Sequence, residues 1–401
     1  MTESNNGIAE SKELRNSVLP AEAYYCPRWF ALEQQHIFSR HWLCAGFTED
    51  LTKPGDFLTV QAGGDNLLVV LDNEHQLQAF HNICRHRGTR LKEGSGHCGR
   101  AITCPYHDWT WDLAGNLKGI PSKRDEFPVT NLADWPLKKA SVAIWRGMIW
   151  VNPQPDAGDI QQWFEPIEPW LGPHDPQALV ESADDLYDNV IQANWKIVVE
   201  NYIDHYHLAH LHAGTLNMYD HKQAVYGFHG AHFGFFEPLE AGYASKLSEA
   251  SPLPLISAVD KDSPGAWVPM LFPGIGLAES ESSWSVFVII PLSPTSSRVI
   301  VRTKVEPASN WQYMMQMARS SSFWYRRVRP KSTQLEASHP LGTADFMQED
   351  VYICEQLQKS VTSSHFEPGP SAQNSEAPVR QHQQLIRSLI YPHWSANTRS
   401  G

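Results

Sequence analysis

Two short motifs restrict this chain more than anything else in it: Cys84-Arg85-His86 and, past residues 87–103, Cys104-Pro105-Tyr106-His107. Each presents a thiolate and an imidazole from one short loop, so a fold that brings the loops together creates a four-ligand metal site. Zinc accepts two cysteines and two histidines, but its structural sites normally pair like with like, at Cys-x2-4-Cys and His-x3-5-His spacing. Here each half mixes the two ligand types. That suits two sulfide-bridged irons, with both cysteines on one iron and both histidines on the other, a ligand set that raises the reduction potential above that of an all-cysteine cluster. Gly88 and Pro105 fit tight loops whose backbone N–H groups can point at sulfur. Arg85, Arg87 and Arg90 bring positive charge to the same loop, either beside the cluster and open to a docking donor protein or as a solvated group.

A second metal-ligand density lies in residues 194–212, where His205, His207, His210 and His212 fall within eight positions. A mononuclear ferrous site takes two histidines and one carboxylate on one face and leaves the opposite positions open. Spacing alone does not choose the pair. On an ideal helix Asp204 and His207 are neighbours at i, i+3, and His207 with His210 shares a face, whereas His207 and His212 diverge by about 140°.

The loop sequences His81-Asn82-Ile83-Cys84-Arg85-His86-Arg87-Gly88 and Cys104-Pro105-Tyr106-His107-Asp108-Trp109 resemble those of Rieske non-haem iron oxygenases, and residues 200–212 are similar to that family's catalytic stretch. The resemblance implies a catalytic (alpha) subunit with one Rieske 2Fe–2S cluster held by Cys84, His86, Cys104 and His107. It further implies one mononuclear Fe(II) held by His207 and His212, which requires the helix to end or distort between them. The carboxylate comes from residues 349–358, similar to the family's C-terminal helix, where the metal-binding aspartate matches Asp350. Glu349, about 100° away on a helix, would point elsewhere. Asp345 and Glu355 are weaker substitutes, and a solvated acidic helix is the plain alternative. His205 and His210 become cavity-lining or ordinary polar positions. Asp204 matches the acid that links an iron histidine to a cluster histidine, His107, of a neighbouring copy, implying a homotrimer or a multiple of it.

Composition agrees with this frame. At 401 residues with a net charge of −12 and no long basic block, the chain is large enough for two cores and a poor partner for nucleic acid or an anionic membrane. No apolar run is long enough to span a bilayer, and the first residues lack the basic and apolar parts of a signal peptide, so a cytoplasmic location is expected. Six cysteines, two of them cluster ligands, are too few for a disulfide scaffold; Cys98, near Cys104, is assigned a structural role.

The expected fold class is α+β: an N-terminal tail and helix over 1–40, a β-rich Rieske domain with ligand loops on hairpins over 41–155, and a catalytic domain of antiparallel sheet flanked by helices over 156–401. Residues 57–60, 67–71 and 76–80 read as strands, 109–117 as a hairpin, 286–291 with 298–305 as another, 311–327 and 345–360 as helices, and 366–377 as a flexible loop. No dinucleotide fingerprint follows a strand, so electrons from NAD(P)H would arrive through a separate reductase, with or without a ferredoxin. The function expected first is hydroxylation of a small aromatic compound using O2. Oxidation or N-demethylation of a quaternary or methylated amine is the alternative; an electron carrier without oxygenase activity and a zinc-stabilised binding protein stand further off. Metal analysis of the purified protein separates these classes: three irons per chain are expected for the oxygenase, against two for a carrier and zinc for the binding protein.

Overall fold

The computed structural model describes residues 19–182, 186–245, 253–259, 264–319, 338–343 and 345–396; the first 18 residues of the N-terminal stretch expected over 1–40 lie outside them. The chain forms two compact units, one of Ala31–Glu165 and one that joins the residues before Ala31 to Pro166–Gly401.

In the unit Ala31–Glu165, a seven-stranded antiparallel sheet runs in the order Leu43–Phe47, Met148–Asn152, Lys139–Trp145, Leu77–His81, Asp65–Leu71, Asp56–Ala62, Ser95–His97. The apolar run Leu67–Val70 lies at full burial, as a strand covered on both faces requires. Lys139–Trp145 turns into Met148–Asn152 through Arg146 and Gly147, both at positive φ (50° and 73°), the turn whose twist matches a hairpin. A three-stranded sheet, Ala101–Thr103, Thr110–Asp112 and Leu117–Gly119, packs Ile102, Trp111 and Leu117 into one core with Leu68, Val70 and Phe80. Cys84 and Cys104 belong to that core, so the loops that carry them are anchored by hydrophobic burial at their first ligand.

The larger unit is built on a nine-stranded sheet whose main path runs Val180–Glu181, Ser296–Val305, Trp284–Ser293, Ile275–Glu279, Gly265–Trp267, His232–Pro238, Val225–His229. Its longest hairpin, Trp284–Ser293 with Ser296–Val305, is the expected one extended at both ends. The helix Trp195–Ile203 packs against Trp284–Ser293 and against the helix Phe346–Val361. Its start is set by Asn194, whose Oδ1 accepts from the backbone N–H of Lys196 at 3.0 Å while its amide donates to the Pro294 carbonyl at 2.7 Å. Trp195, Lys196, Ile197, Val199 and Ile203 form its buried side.

Gly276 lets that helix come close to the sheet. A Cβ there would lie 2.6 Å from Cζ of Tyr202, whose hydroxyl donates to the Leu277 carbonyl at 2.6 Å. The segment 366–377, expected to be flexible, has no helix or strand before Ala377 but is tied to the helix Ala377–Ala396 by the buried Arg380, which donates to Ser371 Oγ and to the carbonyls of Ala372 and Gln373. The expected helix at 311–327 is present as Asn310–Arg319, and residues 320–327 lie outside the described set. Among the described residues no helix is long and apolar enough to cross a membrane. Because the ring of Tyr202 cannot retreat from the sheet without moving the helix, Gly276→Ala is expected to destabilise the protein by about 1–3 kcal/mol in chemical denaturation.

Candidate metal centres and the cavity beside one of them

The two ligand loops have the same closed form. In each, the cysteine N–H reaches the carbonyl five residues on, Cys84 to Thr89 at 2.8 Å and Cys104 to Trp109 at 2.9 Å. The residue four places past each cysteine, Gly88 (φ 78°) and Asp108 (φ 53°), takes the left-handed conformation that closes the turn. The N–H two residues past each cysteine then points at its sulfur, His86 N–H to Cys84 Sγ and Tyr106 N–H to Cys104 Sγ, both at 3.5 Å. Both thiols are buried. Burial pushes the Cys84 thiol up, and the Cys104 thiol beside it adds to that rise, so the two sulfurs are near neighbours.

The His86 and His107 rings meet edge to face, with centroids 4.8 Å apart, and His86 stacks on Trp109 at 5.0 Å. Burial, then the nearby His107 and Arg87, hold His86 below its usual value. His86 Nδ1 is buried with no hydrogen-bond partner among the described residues, an arrangement that costs free energy unless an electron-pair acceptor sits there. Two neighbouring thiols, two adjacent imidazoles and that orphaned nitrogen fit a cluster of the mixed type. Arg85 lies over Trp135 and Arg87 over Tyr106, so both are engaged with local rings. Cys98 packs, partly buried, against the core around the loops.

In the larger unit, the helix Trp195–Ile203 stops at Asp204, whose backbone is extended (φ −77°, ψ 114°). Successive tight turns follow: the His207 carbonyl accepts from the N–H groups of His210 and Leu211, and the His212 carbonyl from those of Thr215 and Leu216. Those turns cancel the divergence an unbroken helix would impose, and the His207 and His212 rings come to 5.0 Å between centroids. Asp350 Oδ1 lies 2.9 Å from His212 Nε2 and 3.7 Å from His207 Nε2. One ligand atom from each of the three falls within 4.8 Å of the others.

The opposite nitrogen of each imidazole is held by a carboxylate. His207 Nδ1 meets Asp204 Oδ2 at 3.1 Å, and Asp204 Oδ1 accepts from the Tyr206 N–H at 2.7 Å. His212 Nδ1 meets Glu349 Oε2 at 2.8 Å, and the Thr215 hydroxyl donates to the same oxygen at 2.8 Å. A proton on Nδ1 leaves the Nε2 lone pair for a metal, the usual second-sphere arrangement of histidine ligands. Burial alone would lower His212, but its hydrogen bonds to Asp350 and Glu349 outweigh that and push it up to about 9. These donors fit a two-histidine, one-carboxylate ferrous site.

Glu349 is a residue that sequence reasoning set aside. It does lie away from the shared ligand point, but it is turned onto the far side of His212. The other candidates are occupied elsewhere. Asp345 caps the helix Phe346–Val361 by accepting from the Met347 N–H at 2.9 Å, Glu355 accepts from the Gln192 N–H at 3.1 Å, and His205 Nε2 donates to the His221 carbonyl at 2.8 Å. His210 is exposed beside Tyr206.

A cavity of about 350 Å³ opens at the three candidate ligands His207, His212 and Asp350. Tyr202, Leu208, Met218, Phe235 and Phe287 give it an apolar wall, and burial keeps the Tyr202 phenol neutral by pushing it well above its usual value. Glu237 and Glu279, both almost wholly buried, also line it. Neither stood out in the sequence, because each lies singly in a strand.

A mixed-ligand loop pair in one unit and a two-histidine, one-aspartate cluster in the other define the class of Rieske-type oxygenase alpha subunits. The comparisons agree: the model of the Rieske 2Fe-2S domain matches residues 41–136, that of the ring hydroxylating alpha subunit (catalytic domain) matches residues 176–391, and the chain belongs to the ring-hydroxylating alpha-subunit family. It is 34% identical over 201 residues to the glycine betaine monooxygenase oxygenase subunit of Chromohalobacter salexigens, covering 50% of this chain and 44% of that one. It is 33% identical over 183 residues to the chlorobenzene dioxygenase subunit alpha of a Cupriavidus species, covering 45% and 41%. Against the carnitine monooxygenase oxygenase subunit of Escherichia coli the figures are 28% over 241 residues, 56% and 61%. The chain thus spans about half the length of the curated relatives it matches. Among solved structures, a quaternary ammonium Rieske monooxygenase superposes with a TM-score of 0.73 at 20% identity, covering 94% of this chain and 95% of that one. Naphthalene 1,2-dioxygenase from Rhodococcus sp. gives 0.67 at 18%, covering 96% and 98%; at such identities the likeness is one of fold.

If Glu349 orients His212 for metal, Glu349→Gln is expected to weaken ferrous-ion binding about 10- to 100-fold in anaerobic titration, leaving the visible spectrum of the Rieske unit unchanged.

Proposed function

We propose that this chain is the terminal oxygenase component of an electron-transfer system and uses O2 to oxidise a small methylated or quaternary amine. In this reading Cys84, Cys104, His86 and His107 hold the cluster, and His207, His212 and Asp350 hold the ferrous ion. When bound, these centres supply single electrons and open coordination positions for O2 beside the substrate. The chain supplies placement. Asp204 and Glu349 fix the proton of each ligand imidazole at Nδ1, and the apolar wall keeps water from the substrate. Asp204, part of whose carboxylate remains open, is also the group that would accept from His107 of the partner subunit in a ring of three copies, coupling the two centres. Electrons would come from a separate reductase, alone or through a ferredoxin.

The observation that carries the substrate class is the charge of the cavity. Its described lining includes four carboxylates, Asp204, Glu237, Glu279 and Asp350, and no lysine or arginine. Tyr202 and Phe235 add ring faces that attract an ammonium group. The aromatic compound that the motifs put first would suit the apolar wall, but it would leave buried carboxylates desolvated against a neutral molecule, which is costly. An electron carrier would need neither the cavity nor the second set of metal ligands.

Oxygen uptake by the iron-loaded protein, reduced through a reconstituted donor, tests the reading against methylated amines, aromatic acids and hydrocarbons in parallel. Uptake with a methylated amine, accompanied by formaldehyde where a methyl group is lost, is expected; uptake with arenes alone would contradict it. Asp204→Asn is expected to keep iron content and the reduced-cluster resonance while lowering turnover by about 100-fold, and unchanged single-turnover rates would remove Asp204 from the electron path.

A further inference from the structure

The two carboxylates in the cavity wall away from the metal ligands are not equivalent, and their hydrogen bonds reveal the difference. Glu279 faces His174, with Oε2 3.4 Å from Nδ1 and both side chains fully buried. His174 Nε2 lies 2.6 Å from the Ser280 carbonyl, which can only accept, so Nε2 carries a proton. The contact of His174 Nδ1 with Glu279 Oε2 is longer than the 2.7 Å contact of Glu237 with its own histidine, and it is not a hydrogen bond. Trp284 Nε1 donates to the other oxygen, Oε1, at 3.2 Å.

Glu237 is built differently. Its Oε2 lies 2.7 Å from His221 Nδ1, and one proton on that nitrogen satisfies the contact while leaving the carboxylate charged. A second proton would have to sit on His221 Nε2, which is buried and finds no hydrogen-bond partner among the described residues, so the imidazole is favoured in its neutral form. The Glu237–His221 pair therefore carries one net negative charge. Glu237 shares a strand face with Phe235, two residues earlier in His232–Pro238, and both line the cavity. Ala266, its register partner on Gly265–Trp267, also lines the cavity and is small enough to leave the carboxylate room. Asp204 and Asp350 are engaged at the metal-ligand end.

We propose that Glu237, held by His221, is the specificity residue that reads positive charge on the substrate, with Phe235 presenting its ring face beside it, while Glu279, bound to the Trp284 indole and beside His174, is part of the wall and does not read that charge. This rests on the amine reading of the same cavity and assigns the recognition to one side chain. A buried carboxylate facing a cation in an apolar wall gives strong discrimination against an uncharged molecule of the same shape.

Choline and its uncharged carbon isostere, 3,3-dimethylbutan-1-ol, differ in that charge and are the probes for calorimetric binding to the iron-loaded protein. The native chain is expected to prefer choline by at least about tenfold. Glu237→Gln, which keeps the shape and can still accept from His221, is expected to bring the two affinities within about twofold by weakening choline alone. An unchanged affinity for the alcohol shows that the cavity is intact, and Glu279→Gln is expected to keep the preference. A preference that survives Glu237→Gln or disappears in Glu279→Gln, or a native chain that binds choline no better than the alcohol or not at all, would overturn the assignment. Absence of oxygen uptake with every amine, alongside an intact charge preference that Glu237→Gln abolishes, would instead overturn the oxygenase reading and leave this assignment standing.

Discussion

The catalytic half of this molecule depends on two carboxylates gripping the backs of two imidazoles. Asp204 takes His207 and Glu349 takes His212, each at Nδ1. Without those contacts either ring is free to choose its tautomer and its rotation, and a lone pair directed at a shared point becomes one arrangement among several. With them, both Nε2 atoms face Asp350. Adjacent residues on the helix Phe346–Val361 thereby serve the same site from two sides, Asp350 as a prospective ligand and Glu349 as the group that aims one.

The backbone makes this possible by ending a helix in the right place. Asn194 caps its start, Gly276 allows Tyr202 to seat against the sheet, and the extended Asp204 turns the chain out of the helix before His207. The cavity then forms between the end of that helix, the sheet strands that carry Phe235, Glu237 and Glu279, and the helix bearing Asp350. The candidate metal ligands and the cavity wall share the same few elements, so a shift in the seating of the helix Trp195–Ile203 disturbs both.

Much of this was legible in the sequence, for identifiable reasons. The cluster loops were readable because cysteine and histidine at fixed short spacing have few other uses, and the strands because their apolar runs are bounded by Gly, Asn and Asp turns. The histidine pair was not readable from helical geometry, which favoured His207 with His210; only the resemblance pointed to His212, because local spacing says nothing about where a helix will stop. Glu349 was discounted by a sound rule about adjacent helical positions, which correctly kept it from the ligand point but did not ask what lay on its own side. Glu237 and Glu279 left no trace in the sequence, since a single glutamate in a strand is ordinarily a solvated edge and only the folded sheet shows that these two face a cavity. Arg85 and Arg87, read either as charge beside the cluster or as a solvated group, lie over Trp135 and Tyr106, contacts that no local pattern encodes.

The most direct test of the ligand set is the position of the metal itself. In crystals grown anaerobically with ferrous ion, anomalous scattering at the iron edge should show one isolated peak within bonding distance of His207 Nε2, His212 Nε2 and an Asp350 carboxylate oxygen, with Glu349 outside that distance. An isolated peak bound instead through His205 or His210, or none near Asp350, would contradict the account.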